Sequence, residues 1–145
     1  MQSYLPATLL TKSGPKPTSE VLANKRAVGL YFSAHWCPPC RGFTPVLAQF
    51  YKDLQKQDPD ALEIIFVSSD QDDGSFNEYY GEMPWTSVIF GAEEGDSLGQ
   101  RFGVRGIPSF QICDPTTGKV VDADGRSTVM NGKSDPKAAS SRWTK

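Results

Sequence analysis

Cys37 and Cys40, separated by two prolines in the run Trp36-Cys37-Pro38-Pro39-Cys40-Arg41, are the residues of this chain best suited to covalent chemistry. A two-residue spacer lets two thiols close a small disulfide ring or act at one point. Thiol–disulfide exchange uses that spacing directly. One thiolate attacks a disulfide sulfur to form a mixed disulfide, and the second thiol attacks the first and releases the reduced product. The competing use is half of a zinc site, which needs two further ligands. Only Cys113, His35 and carboxylates remain, without paired ligand spacing, so no metal is expected.

The elements around the motif decide which thiol leads. Residues 27–32, Ala-Val-Gly-Leu-Tyr-Phe, are apolar and β-prone enough to be a buried strand. From Pro39 onward, Phe43, Val46, Leu47, Phe50 and Leu54 recur at helical spacing, which predicts an amphipathic helix kinked at Pro45. Cys37 then stands just before a helix N-terminus, where free N–H groups and the positive end of the dipole favour a thiolate. Pro38 and Pro39 suit a first turn, whose N–H groups have no intrahelical acceptor. Cys37 is therefore expected to be the more exposed thiol and the nucleophile, and Cys40 the resolving thiol.

Beyond the helix, residues 62–67 read as a second buried strand, and strand–helix–strand implies a right-handed crossover and a parallel pair. A helix at 75–82 and a short strand at 87–90 follow. A helix at 96–102 is expected next, capped by Asp96 and stopped by Gly103. Residues 109–113 and 119–121 form a hairpin, and 125–130 extend the sheet edge. The fold class is α/β in a single domain spanning 1–145. Residues 1–25 are an N-terminal extension with a loop at 13–17 and a helical turn from Thr18, and 131–145 are a polar, loosely held tail apart from Trp143.

Composition narrows the function classes. A chain of 145 residues can bury one sizeable core. A net charge of -2 gives no electrostatic reason to expect nucleic acid or an anionic membrane. No apolar run approaches the roughly 20 residues of a membrane span, and the start of the chain lacks the pattern of a signal peptide. Three cysteines, two in one motif, do not make a disulfide-stapled secreted fold, so a reducing, cytoplasmic compartment is expected.

The run Tyr31-Phe32-Ser33-Ala34-His35-Trp36-Cys37-Pro38-Pro39-Cys40-Arg41 resembles the active-site segment of the tryparedoxin/nucleoredoxin branch of the thioredoxin superfamily. Val67-Ser68-Ser69-Asp70, Tyr79-Tyr80-Gly81-Glu82-Met83-Pro84-Trp85 and Gly106-Ile107-Pro108-Ser109-Phe110 extend the resemblance over nearly the whole chain. It implies a thioredoxin-like three-layer sandwich, a central mixed sheet of about five strands flanked by helices. It also implies a cis-proline at Pro108, which would turn the backbone of Ile107 toward Cys37 so that a bound peptide could pair there as a short strand. Read without the family, Pro108 is an ordinary strand-start proline.

Trp36 resembles the exposed tryptophan that family members use to cover the site and touch partners, whereas Trp85 is assigned to the core. Arg41 and Arg126 match basic residues placed near the site, and Arg126 resembles a substrate-contacting arginine; the plain alternative for each is a solvated surface charge. Substrate binding is thus expected at Trp36, Arg41, Ile107, Pro108 and Arg126. His35 is expected to be a plain exposed residue and Cys113 a buried small hydrophobe. Two departures stand out. Tyr31 occupies the position of a buried aspartate in many thioredoxins, and it agrees with this branch in being aromatic. Ser69 and Gln71 stand where tryparedoxins read Trp and Glu, which weakens recognition of a cationic polyamine conjugate, while Ser69 and the His35-Trp36 pair lean toward nucleoredoxins.

The expected function is a cytoplasmic, monomeric protein-disulfide reductase of tryparedoxin type with no bound cofactor. Trypanothione, or another dithiol or reductase system, would supply electrons. Disulfide-bearing proteins such as peroxiredoxin-type peroxidases would receive them, with neither nucleic acid nor membrane as partner. The alternative is a nucleoredoxin-like redox-sensitive binding or regulatory module.

Overall fold

The computed structural model describes residues 5–143; residues 1–4, which bear on the signal-peptide expectation and begin the extension, and 144–145, which end the tail, lie outside the described residues. In chain order the elements are β1 (Thr8–Thr11), β2 (Gly14–Pro17), α1 (Thr18–Val21), β3 (Val28–Ser33), α2 (Pro38–Gln57), β4 (Glu63–Ser68) and α3 (Asp73–Tyr80). They continue with β5 (Thr86–Ser87), α4 (Glu93–Arg101), β6 (Ser109–Cys113), β7 (Val120–Asp122), α5 (Gly125–Gly132), α6 (Pro136–Ser140) and a closing 3-10 turn, Ser141–Trp143.

Strand β3 organises the sheet. Because side chains alternate across a strand, Val28, Leu30 and Phe32 enter one core with Leu9, Ile65, Val67 and Leu98. Tyr31 enters the other, with Leu47, Phe66, Trp85 and Phe110. Both faces are buried, which is why β3 and β4 read as near-continuous apolar runs. They pair in parallel, Val28 opposite Glu63 through Ser33 opposite Ser68, while β6 runs antiparallel on the other side of β3. The full order is β2-β1-β5-β4-β3-β6-β7. Side chains of α2, α3 and α5 cover the Tyr31 face, and Leu98 of α4 covers the other. Gly29 has a steric reason to be glycine: a Cβ there would lie 2.4 Å from the ring of Phe110.

The sheet has seven strands rather than five, because the N-terminal extension is structured. β1 and β2 form a hairpin that joins the sheet through Leu10 opposite Ser87. Pro15 and Pro17 had marked this stretch as loop. On the edge strand β2 their missing N–H groups fall on the open side, out of phase with Thr18, whose N–H donates to Ala7 at 2.9 Å.

Three further expectations are corrected. Residues 125–130 are helical rather than a sheet edge: Asp124 accepts from the Ser127 N–H at 3.3 Å, and Gly125, Thr128 and Val129 share one buried face. Helix α4 starts at Glu93, three residues before the expected cap Asp96, and its N-cap is Ala92. The tail is docked as far as it is described. Helix α6 buries Pro136 and Ser140, and Trp143, the residue excepted from that expectation, is buried against Phe50 and Phe110 with its Nε1 donating to Asp122 Oδ2 at 2.9 Å.

Candidate active site

Cys37 is the N-cap of α2, with Pro38 and Pro39 filling the first helical positions. Its Sγ accepts the backbone N–H of Cys40 at 3.4 Å, so the helix's own free donor points at the sulfur. The two cysteines form a disulfide with their Cα atoms 5.2 Å apart. Cys40 has no solvent exposure and Cys37 retains 5%, so any incoming disulfide meets Cys37. The helix continues through Pro45 to Gln57.

Facing the pair is the loop before β6. The Ile107–Pro108 peptide bond is cis, and the carbonyl oxygen of Ile107 lies 3.8 Å from Cys37 Sγ. Pro108 is buried, and its own carbonyl accepts Nη1 of Arg126 at 3.2 Å. The guanidinium of Arg126 also lies 5.7 Å from the centre of the Phe43 ring. Trp36 is 58% exposed beside the disulfide, and its Nε1 donates to the Ser69 carbonyl at 3.0 Å. These residues converge on Cys37. Arg41 does not join them: its side chain is exposed and has no hydrogen-bond or ion-pair partner among the described residues.

The loop after β4 is stitched to the loop carrying the cysteines. Asp70 is buried, with Oδ1 accepting the His35 backbone N–H at 2.8 Å and Oδ2 accepting the Ser68 hydroxyl at 2.8 Å. His35 is half-buried rather than exposed, its ring 5.5 Å from that of Tyr79. Between this loop and α4 runs a groove of about 720 Å³, reaching Trp36 and Ile107 and lined also by Ser69, Asp96, Gln100 and Arg105.

Under Cys40 lies a set of buried hydroxyls on Tyr31, Ser33, Thr44 and Tyr79. Burial pushes the Tyr31 hydroxyl well above the ordinary tyrosine range, so it is a neutral donor. Thr44 and Tyr79 were not among the expected site residues. The four-residue step from Cys40 to Thr44 was the one signal in sequence, since it puts both on the same helix face. Trp85 is core, as its neighbourhood predicted, and Cys113 is fully buried in the core on the opposite face of the sheet, where burial pushes its thiol up to about 12. Among the described residues, no three His, Cys, Asp or Glu side chains converge as a metal site would require.

The family model described as thioredoxin-like matches residues 24–120. The solved structure of tryparedoxin from Trypanosoma brucei superposes with a TM-score of 0.84 at 37% identity, covering 99% of this chain and 97% of that one. A tryparedoxin II solved in complex with glutathionylspermidine superposes at 0.83 with 31% identity, covering 94% and 93%. Probable nucleoredoxin 1 of Arabidopsis thaliana is 44% identical over 122 residues, which are 84% of this chain and 21% of that protein. The chain thus spans about a fifth of that nucleoredoxin and nearly all of the tryparedoxins.

Proposed function

The chain belongs to the thioredoxin-like family of oxidoreductases, and from that premise we propose that it reduces protein disulfides by cycling Cys37 and Cys40 between dithiol and disulfide. The observation that carries this reading is Cys37 at the N-cap of α2. Its sulfur accepts the Cys40 N–H there, and the Ile107 carbonyl, which would pair with a bound peptide, lies 3.8 Å from it. In the reduced protein the helix terminus stabilises a Cys37 thiolate. That thiolate attacks a substrate sulfur, the displaced thiolate leaves with a proton, and Cys40 then attacks Cys37, closing the disulfide and releasing the second substrate thiol. Exposed Trp36 and the backbone of Ile107 flank the substrate, and Arg126 braces Pro108. Arg41, free in the first turn of α2, steers anionic groups toward the site.

Electrons return from a small dithiol such as trypanothione or from another reductase system, and peroxiredoxin-type peroxidases are the receiving class. A reducing cytoplasm suits that cycle, and the protein works in it as a monomer with no bound cofactor. The similarity of a related tryparedoxin bound to a polyamine-linked thiol supports the small-dithiol donor. The 44% identity to a nucleoredoxin favours the second reading, a redox-sensitive binding module. Insulin reduction under a regenerating dithiol separates the two. Many turnovers per protein are expected. Stoichiometric binding of a disulfide protein without turnover would overturn the reductase in favour of the module.

A further inference from the structure

Resting on the reductase reading, we propose that Thr44 is a positioning residue for the second, resolving half of the cycle, acting through the backbone of Cys40.

Thr44 Oγ1 is the node of the buried hydroxyl set. It donates to the Cys40 carbonyl at 2.9 Å and lies 2.6 Å from both the Tyr31 and the Tyr79 hydroxyls. Tyr79 in turn lies 2.6 Å from Ser33 Oγ. All four side chains have essentially no exposure, Thr44 retaining 1% and the others none, so every hydrogen needs a protein acceptor. The hydrogens run one way without conflict: Ser33 to Tyr79, Tyr79 and Tyr31 to Thr44, and Thr44 to the Cys40 carbonyl. That ordering uses all four donors and both acceptor lone pairs of Thr44. Its single outlet is the main chain of the resolving cysteine.

The set also ties three elements to that one residue. Tyr31 and Ser33 belong to β3, Tyr79 to α3 and Thr44 to α2. Tyr31 adds a longer contact of its own to the Cys40 carbonyl at 3.4 Å. A base is not what this arrangement provides, because the Tyr31 hydroxyl is held neutral by burial. It holds geometry. When Cys37 is joined to a substrate, Cys40 must bring its sulfur in line with the Cys37–substrate bond, and a misplacement of about 1 Å can cost up to about a hundredfold in rate. In that step the Cys40–Cys37 bond forms, the Cys37–substrate bond breaks, and the substrate sulfur leaves as a thiolate. The proton given up by Cys40 is taken by that thiolate or by solvent.

DTNB, an activated aromatic disulfide, reads the two halves separately in the intact protein once its Cys37–Cys40 disulfide has been reduced and the reductant removed. The first thionitrobenzoate released reports attack by Cys37, and the second reports resolution by Cys40. Cys113, buried and with its thiol pushed up, stays silent. In Thr44→Val the first phase should stay within about twofold of the parent and the second slow by about tenfold to a hundredfold. Thr44→Ser, which keeps the hydroxyl, should restore the second phase. Tyr79→Phe, which removes the links to Ser33 and Thr44 but leaves the Thr44–Cys40 hydrogen bond in place, should slow it less.

A second phase unchanged in Thr44→Val, both phases slowed equally, or no rescue by serine would each overturn the proposal. The phases need no protein substrate. A protein that releases both equivalents yet never turns over insulin overturns the reductase reading, while the Thr44 comparison still decides this one.

Discussion

Cys37 and Cys40 differ in two physical respects, access and partner, and both argue for unequal roles. Cys37 keeps the pair's solvent access and takes the helix-terminal N–H, whereas Cys40 is sealed beneath it. Cys37→Ser is therefore expected to abolish insulin reduction. Cys40→Ser is expected to leave a covalent complex with the partner protein, visible on a non-reducing gel. A complex captured by Cys37→Ser instead would reverse the assignment. The same asymmetry bears on titration. The Cys37 thiol should lose its proton below the free-thiol value of about 8.5, since a helix N-terminus favours the thiolate. Alkylation rate against pH, read by mass at each cysteine, measures this directly, and a midpoint at or above that value would refute the electrostatic argument. Cys113 should remain unmodified throughout, because burial pushes its thiol up to about 12.

At the scale of elements, what sequence revealed was whatever burial writes into pattern. β3, β4 and α2 were legible because each buries a face and so carries a run or a period. β1 and β2 were not, since an edge hairpin of four-residue strands has little burial to advertise and its prolines resemble a turn. α5 was mistaken for strand because Ser-Thr-Val is β-prone; the Asp124 cap outweighed that propensity.

β4 shows the converse, a polar residue hidden in an apolar run. Glu63 is buried, and burial pushes its carboxyl above the ordinary range against the opposing pull of the Ile64 N–H, Lys25 and the Tyr51 hydroxyl. The folded state therefore holds this proton more tightly than the unfolded chain does. Its contribution is full below the unfolded value of about 4.3 and is lost as pH rises through the folded value. Glu63→Gln keeps an acceptor for Tyr51 without a charge. It should raise Tm at pH 7 and lose that advantage below about pH 4. Equal Tm values for parent and variant at pH 7 would show that the buried charge carries no cost.

For the whole molecule, the site exists only because the sheet gathers loops that are far apart in sequence. Trp36 meets Ser69, Cys37 meets Ile107, and Arg126 meets Pro108. Motif resemblance anticipated these loops individually. The contact between Ser33 and Tyr79, 46 residues apart, leaves no local pattern and had to be seen.

The gathered loops also frame the choice of electron donor. Ser69 and Gln71 are both exposed, and Ser69 lines the groove that opens beside Trp36. At the two positions where tryparedoxins place tryptophan and glutamate, Ser69 and Gln71 offer a polyamine conjugate neither an apolar face nor a countercharge. An exposed ion pair is worth only about 0.2–1 kcal/mol, a factor of roughly 1.5 to 5 in affinity, so its loss weakens binding without abolishing it. Trypanothione should therefore reduce this protein measurably. The double variant Ser69→Trp, Gln71→Glu should lower its apparent KM by about that factor or more. Steady-state reduction with a trypanothione-regenerating system provides the measurement. Because Trp36 is held by the backbone carbonyl of Ser69 rather than by its side chain, the cysteine loop should keep its place and kcat should change little. If KM stays where it was, neither residue selects the donor, and the groove beside Trp36 is shaped for a different reductant.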